Sequence, residues 1–391
     1  MVKTDADVIV IGAGAAGLIC AIECGRRQRS VLVLDHSSRI GNKVRVAGGG
    51  RCNFTNLGTR PENYLSQNPH FCKSALSRFS PRDFLHLLEK YRVGYHEEDN
   101  GRLFCDRGSG EIIRMLRQEC GNASATFSLG SRVLGVVKKD GFEVTTNRGI
   151  FRSHSLVVAT GGISFPQLGA TGLGHRIAAG FGIKVTPLRP GLAPLLWNAR
   201  DRALFGELSG ISLKGAISTG PVRFEGDILF THRGLSGPAA LQISLYWSAG
   251  DRLVVDLLPD VDVGELFLSK RSGRVEMINL LSGLLPKRFV RLWCRQYSAS
   301  KPLNSYSVRE LENVAHDLHH WRVEPEGTGG YREAEVTLGG VDTRELSSRT
   351  MEAKKIPGLF FIGEVLDITG QLGGYNLQWA WSSGHAAGQA A

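Results

Sequence analysis

Asp7-Val8-Ile9-Val10-Ile11-Gly12-Ala13-Gly14-Ala15-Ala16-Gly17 is the stretch that decides the fold. The apolar residues before Gly12 are continuous rather than alternating, the pattern of a strand covered on both faces in a parallel sheet. Glycine follows at once in the spacing G-x-G-x-x-G, and Leu18 to about Gly25 reads as a helix. Ser30-Val31-Leu32-Val33-Leu34-Asp35 reads as a second strand, with Asp35 lying 23 residues after Gly12. Strand, glycine turn, helix, strand and acid together make a dinucleotide-binding unit.

Each part has a physical task. Gly12 makes the tight turn, Gly14 lets a pyrophosphate approach the backbone, and Gly17 lets helix and strand pack closely. The helix N-terminus offers free N–H groups and partial positive charge to the phosphates. Asp35 is expected to accept hydrogen bonds from ribose hydroxyls, and it would repel a 2′-phosphate, which argues against NADP in this site. Cys20 and Cys24, four apart on the helix, read as small apolar core residues rather than metal ligands.

Three further segments favour FAD over NAD. The first is Gly41-Asn42-Lys43 followed by Ala47-Gly48-Gly49-Gly50-Arg51-Cys52-Asn53, read as a loop lying against a flat, anionic ligand. The second is the apolar strand Ser155–Val158 ending in Ala159-Thr160-Gly161-Gly162, after a meander from Arg132 to Phe151 that turns at Asp140-Gly141. The third is the strand from Gly358 into Gly363-Glu364-Val365-Leu366-Asp367, then Gly373-Gly374-Tyr375-Asn376-Leu377, where a glycine pair opens a C-terminal helix. FAD is long, and its flavin end needs a holder beyond the first βαβ unit. A second helix N-terminus would stabilise the negative charge of a reduced flavin.

Composition bounds the rest. The 391 residues suit two or three domains. Hydrophobic residues at 42% permit a full core, and no stretch approaches the roughly 18 apolar residues of a membrane span. Met1 to Asp7 carries acids and runs straight into a strand, so a signal peptide is not expected. Seven cysteines without a C-x-x-C pair fit a reducing compartment, and the expected location is cytoplasmic. The net charge of +10 suits an anionic cofactor, an acidic substrate or RNA, with a generally basic surface equally open. No stable DNA complex, metal or membrane contact is expected, and the oligomeric state is open.

These segments resemble the HI0933-like flavoprotein family, the BaiN/YhiN group, over nearly the whole chain. Beyond the nucleotide signature the resemblance rests on Gly48–Asn53, Ala159–Gly162, Phe230-Thr231-His232-Arg233-Gly234-Leu235-Ser236-Gly237-Pro238, Ala334–Val341 and Gly363–Gly384. There are departures: Ala47 stands where serine is usual, Cys105 where proline is usual, and Leu173 where an acid is usual. They put substrate detail near those loops in doubt. The resemblance implies non-covalent FAD in an α/β, discontinuous Rossmann-like domain with an inserted β-barrel and helical domain. The expected divisions are 1–189 and 336–391 for the FAD-binding domain and 190–335 for the insert. Cofactor contacts are expected from Gly12, Gly14, Ala15, Ala16, Gly17, Asp35, His36, Asn42, Lys43, Gly48, Gly49, Gly50, Arg51, Cys52, Asn53, Arg132, Val133, Ala159, Thr160, Gly161, Gly162, Gly363, Glu364, Asp367, Gly373, Gly374, Tyr375, Asn376 and Leu377.

Within the insert, Leu204 to Phe230 reads as short strands alternating around glycines, and Ser307-Val308-Arg309-Glu310 as a capping box before a helix. His232, Arg233 and Tyr375 are the expected catalytic residues: an imidazole beside a fixed cation suits anchoring or proton transfer. A turn histidine with a purely local hydrogen bond is the competing reading. His316, His319 and His320 read as a solvated helix face rather than a metal site, and Cys52 as a neutral residue packed near the flavin. Lys287-Arg288 and Arg291 add basic charge to the helical part, consistent with an RNA-facing insert. The expected chemistry is hydride transfer through flavin N5. The resemblance implies NAD(P)H-fed reduction of an activated C=C, uracil in ribosomal RNA among the substrates. The alternatives are a flavin amine oxidase using O₂ and a flavin-bound, RNA-binding or regulatory protein without turnover. The substrate is thus a small molecule or RNA.

Overall fold

A computed structural model describes residues 5–391, so the acid-bearing start read from Met1 lies outside the described residues up to Thr4. The chain divides into two compact units, Met1–Pro190 with Glu335–Ala391, and Gly191–Ala334.

The first unit is built on a seven-stranded sheet. Its strands are β1 (Ala6–Ile11), β2 (Val31–Asp35), β3 (Thr126–Leu129), β4 (Val133–Lys138), β5 (Phe142–Thr146), β6 (Gly149–Val158) and β7 (Leu359–Phe361). The order is β3-β2-β1-β6-β5-β4, with β7 also pairing β6. β1 runs parallel to β2 and β6, and β7 runs parallel to β6 in the register Val157↔Phe360. Val8 to Ile11 are buried, which is why the run is apolar without alternation. β6 is longer than its apolar stretch suggested: residues 149–153 pair antiparallel with β5 and complete the meander.

Helix α1 (Ala15–Arg26) begins three residues earlier than the apolar pattern indicated, so Ala15 and Ala16 lie in its first turn. α2 (Ser109–Asn122) and the C-terminal α3 (Tyr375–Gly388) complete the helices used below. α3 sits close on α1 because Gly384 has no side chain: a Cβ there would stand 2.5 Å from the Ala16 carbonyl oxygen.

The second unit has its own core and an antiparallel sheet of seven strands. Its edge strands, Trp321–Val323 and Gly327–Thr328, lie at opposite ends of the strand order. Four residue steps reach at most about 15 Å. Seven flat strands would set their edges about 29 Å apart. The sheet must therefore curl so that its two edges approach where Val323 and Gly327 are joined. Inside, Phe205 packs edge-on against Trp321 at 5.0 Å, with Trp197, Phe230 and Phe289 around them. The expected series of short strands from Leu204 is corrected to the end of helix Ala199–Phe205, one 3-10 turn and two long paired strands, Ser212–Thr219 and Val222–Phe230. Gly215 and Gly226 are opposite each other in that pair rather than in turns. The capping box forms as read, with Ser307 Oγ accepting from the Glu310 N–H.

Candidate active site

The phosphate end of the site follows from three glycines. Gly12 adopts φ 116°, and a Cβ on it would meet the Ala159 carbonyl oxygen at 2.3 Å. A Cβ on Gly17 would stand 2.0 Å from the Gly12 carbonyl oxygen, so the helix can lie on the turn only with glycine there. Gly14 is different. Nothing lies within 4 Å of where its Cβ would be. The space in front of it is open, next to the first turn of α1, and a pyrophosphate would fit there. Asp35 ends β2 with both carboxylate oxygens engaged: Oδ2 accepts from Ala13 N–H at 2.7 Å and Oδ1 from Ser37 N–H at 2.7 Å. These bonds fix the carboxylate beside the glycine turn and leave lone pairs for a ribose. His36 Nδ1 lies 3.6 Å from Asp35 Oδ1. Val133 opens β4 in register with Thr146, and the Arg132 N–H is held by Asn147.

The second wall joins distant segments. Asn42 and Lys43 open the short helix Asn42–Val46, which replaces the expected loop. Asn42 Nδ2 donates to Ser37 Oγ at 2.8 Å. Lys43 Nζ donates to Glu364 at 2.6 and 2.8 Å and to Ser164 Oγ at 2.8 Å. Glu364 Oε1 also accepts from Thr337 N–H at 3.0 Å. Thr337 Oγ1 in turn accepts from the N–H groups of Ile163 and Ser164, which shapes the turn at Gly161-Gly162. Glu335 stands nearby. Surrounding protein raises its pKa and Lys43 pulls the other way. Ser164, Thr337 and Glu335 were not identified from sequence. The extension of the Ala159–Gly162 turn by two residues and the motif at Ala334–Val341 held the signal.

Gly48, Gly49 and Gly50 all adopt positive φ, and so does Cys52. Gly49 again faces open space. Cys52 is fully buried, and burial pushes its thiol up to about 12, with Cys105 adding to the effect. It is a neutral packing residue. Arg51 turns elsewhere: its guanidinium lies 4.4 Å from the Phe104 ring centre and pairs with Glu98. Thr160 Oγ1 is buried and has no hydrogen-bond partner.

The third wall is the start of α3. Gly373 and Gly374 take φ 120° and 95°, turning the chain so that the helix N-terminus follows directly. Asn376 holds this turn through Gly370 N–H and C=O, both at 2.8 Å. The Tyr375 carbonyl accepts from Tyr64 OH at 3.0 Å, and the two rings meet edge-on at 6.2 Å. Burial raises the pKa of the half-buried Tyr375 phenol, and nearby Arg60 opposes that shift. Asp367 is buried and accepts from Gln67 N–H at 3.0 Å, which ties it to the neighbouring loop. The residues present therefore fit a dinucleotide cofactor: open space before Gly14 and Gly49, an acid at the end of β2, and two helix N-termini.

In the second unit, Thr231 N–H and hydroxyl both bond the Gly234 carbonyl, which holds His232 and Arg233 out in solvent. Arg233 pairs with Glu333. The reading of three solvated histidines is corrected for His319: its Nδ1 lies 2.8 Å from Asp256 Oδ1 and it is partly buried. His316 and His320 stack on each other at 4.4 Å.

The fold and this site define a flavin-dependent oxidoreductase. The family model described as HI0933-like protein Rossmann domain matches residues 6–390, and the chain belongs to that family. It is 49% identical over 390 residues to the ribosomal RNA dihydrouridine synthase of Escherichia coli K12, covering 98% of this chain and 97% of that protein. It is 27% identical over 402 residues to the 3-dehydro-bile acid delta(4,6)-reductase of Clostridium scindens, covering 98% of each. Among solved structures, the 3-ketosteroid-delta4-(5alpha)-dehydrogenase of Rhodococcus jostii RHA1 shares the fold at TM-score 0.50 and 16% identity, covering 99% of this chain and 98% of that one. Among the described residues no helix is long and apolar enough to cross a membrane.

Proposed function

We propose that the chain reduces the C=C bond of a uracil base in ribosomal RNA to the dihydro form, with FAD as resident cofactor and NAD(P)H as electron donor. The 49% identity to a ribosomal RNA dihydrouridine synthase over 98% of the chain carries this reading. The bile acid reductase at 27% identity supports the same bond type, a C=C conjugated to a carbonyl. Reduction is thereby favoured over the amine-oxidase and turnover-free readings. An RNA substrate of this kind is met in the cytoplasm.

Bound FAD would supply the hydride. The protein's contribution is position and charge. Gly12, Gly14 and the first turn of α1 would hold the pyrophosphate, and Asp35 would hold the ribose. Glu364, steadied by Lys43, Ser164 and Thr337, would help hold the cofactor. The N–H groups at the N-terminus of α3 would offset the negative charge of a reduced flavin. Tyr375 carries a proton at its phenol oxygen, because burial favours the neutral form, and donates it to the carbon that does not take the hydride. The test is incubation of the purified protein with unmodified ribosomal RNA and NADH or NADPH, followed by mass spectrometry of the nucleosides. A uridine that gains two hydrogens is expected. An unchanged nucleoside pool with either donor, from protein that carries reducible FAD, overturns the reading.

A further inference from the structure

The net charge is not shared between the two units. Gly191–Ala334 carries 17 Lys and Arg against 16 Asp and Glu, although Lys287, Arg288 and Arg291 cluster on one helix. The nucleotide-binding unit therefore holds nine of the ten net positive charges. A polyanion feels that difference before any specific contact forms.

Within the nucleotide-binding unit one stretch is poor in acids and lies against the expected flavin end. Glu62 is the sole carboxylate between Leu57 and Arg82. Arg60, Lys73 and Arg78 are exposed there, and no carboxylate pairs with them among the described residues. The stretch is tied to the start of α3 at three points. Tyr64-Leu65 pairs antiparallel with Thr369-Gly370, Asn63 Nδ2 donates to Gln371 Oε1 at 3.1 Å, and the Arg60 cation acts on the Tyr375 phenol. At its other end the Arg78 guanidinium donates to the Arg349 carbonyl, which brings two arginines together without an acid between them. Arg344 also reaches this stretch, donating to Gln67 Oε1 at 3.0 Å, but its charge is already met by Asp342 and it is not counted among the unpaired cations. Arg60 beside Tyr375 and Arg78 beside Arg349 thus stand at the two ends of this acid-poor stretch, with exposed Lys73 between them in sequence. Like charges held together on a surface need a counter-charge, and phosphate spaced along a strand supplies one at each step.

We propose that this edge of the nucleotide-binding unit, rather than the insert, holds the sugar–phosphate backbone of the RNA substrate, with Arg60 the cation nearest the reacting base. The inference rests on the reading of RNA as substrate. It assigns Arg60 as a positioning residue and Arg78 and Arg349 as backbone contacts.

The experiment measures binding of in vitro transcribed, unmodified ribosomal RNA to the flavin-loaded protein across a salt series. Arg60→Gln and Arg349→Gln are each expected to weaken binding several-fold at about 0.1 M salt. Each should also lower the slope of log affinity against log salt by about 0.7–0.9, as one phosphate contact is lost. Flavin content and melting temperature should stay at the wild-type level. The double variant Lys287→Gln/Arg291→Gln, on the insert, should bind within about twofold of wild type. Arg78→Gln is read only if its melting temperature is unchanged, since Arg78 also bonds two backbone carbonyls. Unchanged affinity and slope in the Arg60 and Arg349 variants overturn the proposal, as does an equal loss in the insert variant. If the slopes fall but no uracil is reduced, the surface stands and the reaction fails. If uracil is reduced and the slopes do not move, the reverse holds.

Discussion

Lys43 Nζ lies 2.6 Å from Glu364 Oε2, and the two residues are 321 positions apart in the chain. This ion pair joins the short helix after β2 to the turn after β7. Lys43→Met should leave Glu364 with Ser164 and Thr337 alone and loosen its placement. Loss of a charge-assisted bond of roughly 1.5–3 kcal/mol predicts an increase in the FAD dissociation constant of about 10- to 100-fold. Flavin fluorescence titration of the apoprotein measures it. Glu364→Gln should do at least as much. An unchanged affinity in both variants would remove this pair from the cofactor site.

Gly14 and Gly17 should fail in different ways. Gly14→Val places a side chain in open space, so the apoprotein should fold normally while FAD binding falls at least about tenfold. Gly17→Ala drives a Cβ to within 2.0 Å of the Gly12 carbonyl oxygen, so it should damage the fold itself. Far-UV circular dichroism and melting temperature separate the two. A Gly17→Ala protein that melts like wild type would refute the packing argument.

All seven cysteines are free and buried, and burial raises the Cys52 thiol to about 12. The native protein at pH 8 should therefore react with almost no equivalents of a thiol reagent such as dithionitrobenzoate, against seven when unfolded. Rapid labelling of Cys52 in the folded protein would reopen a redox role for it.

Glu119 is 2% exposed and receives bonds from Arg26, Lys90 and Tyr91. Burial works to raise its pKa, but the bonds from Lys90, Tyr91 and Arg26 outweigh burial and hold it below 4.5. A depressed folded pKa contributes stability above the unfolded value and loses it as pH falls through the folded one. Glu119→Gln should then cost about 1–2 kcal/mol at pH 7, at the low end because Arg26 and Lys90 are half exposed. The deficit should shrink below about pH 4. A deficit that is constant from pH 7 to pH 3 would show that charge is not its source.

Tyr375→Phe tests the proton donor. Flavin content should persist, while turnover on RNA falls by about 10²–10⁴. Because burial raises the phenol's pKa, wild-type turnover should show no alkaline limb from this group below about pH 10. Wild-type turnover by the phenylalanine variant would assign the proton to another group, with Glu335 the first to examine.

The parts of the fold that were legible in sequence are those in which neighbours along the chain dictate the backbone. The run before Gly12 could only be a doubly covered strand, and the glycine spacing dictated the turn and helix after it. Ser307 and Glu310 likewise announced a helix start within four residues. The misread stretch after Leu204 failed because Gly215 and Gly226 resembled turn glycines. They face one another across two long strands, where a Cβ at Gly215 would meet the Asp256 carbonyl oxygen at 2.8 Å. That reason lies in a third strand and leaves no local mark.

The candidate site divides the same way. Its glycines were visible because each needs a particular backbone. Ser164, Thr337 and Glu335 were not, since ordinary residue types become a site only when β6, the segment after Ala334 and the turn after β7 converge. His319 belonged visibly to a histidine cluster, but its partner Asp256 is 63 residues away.

β7 adds to the sheet at β6 with Leu359 beside Leu156, so about half the chain separates two neighbouring strands. On the ribosome the first 190 residues emerge with that edge of β6 bare, and the whole insert must follow before its partner is made. The insert is contiguous, so it can fold as soon as it appears. The nucleotide-binding unit cannot: its last strand and α3 are translated only after the whole insert. Cofactor capture is accordingly a late event in the life of each molecule. A nascent chain stalled just after the insert should contain one finished unit and one open sheet edge, the form most exposed to aggregation and to chaperones.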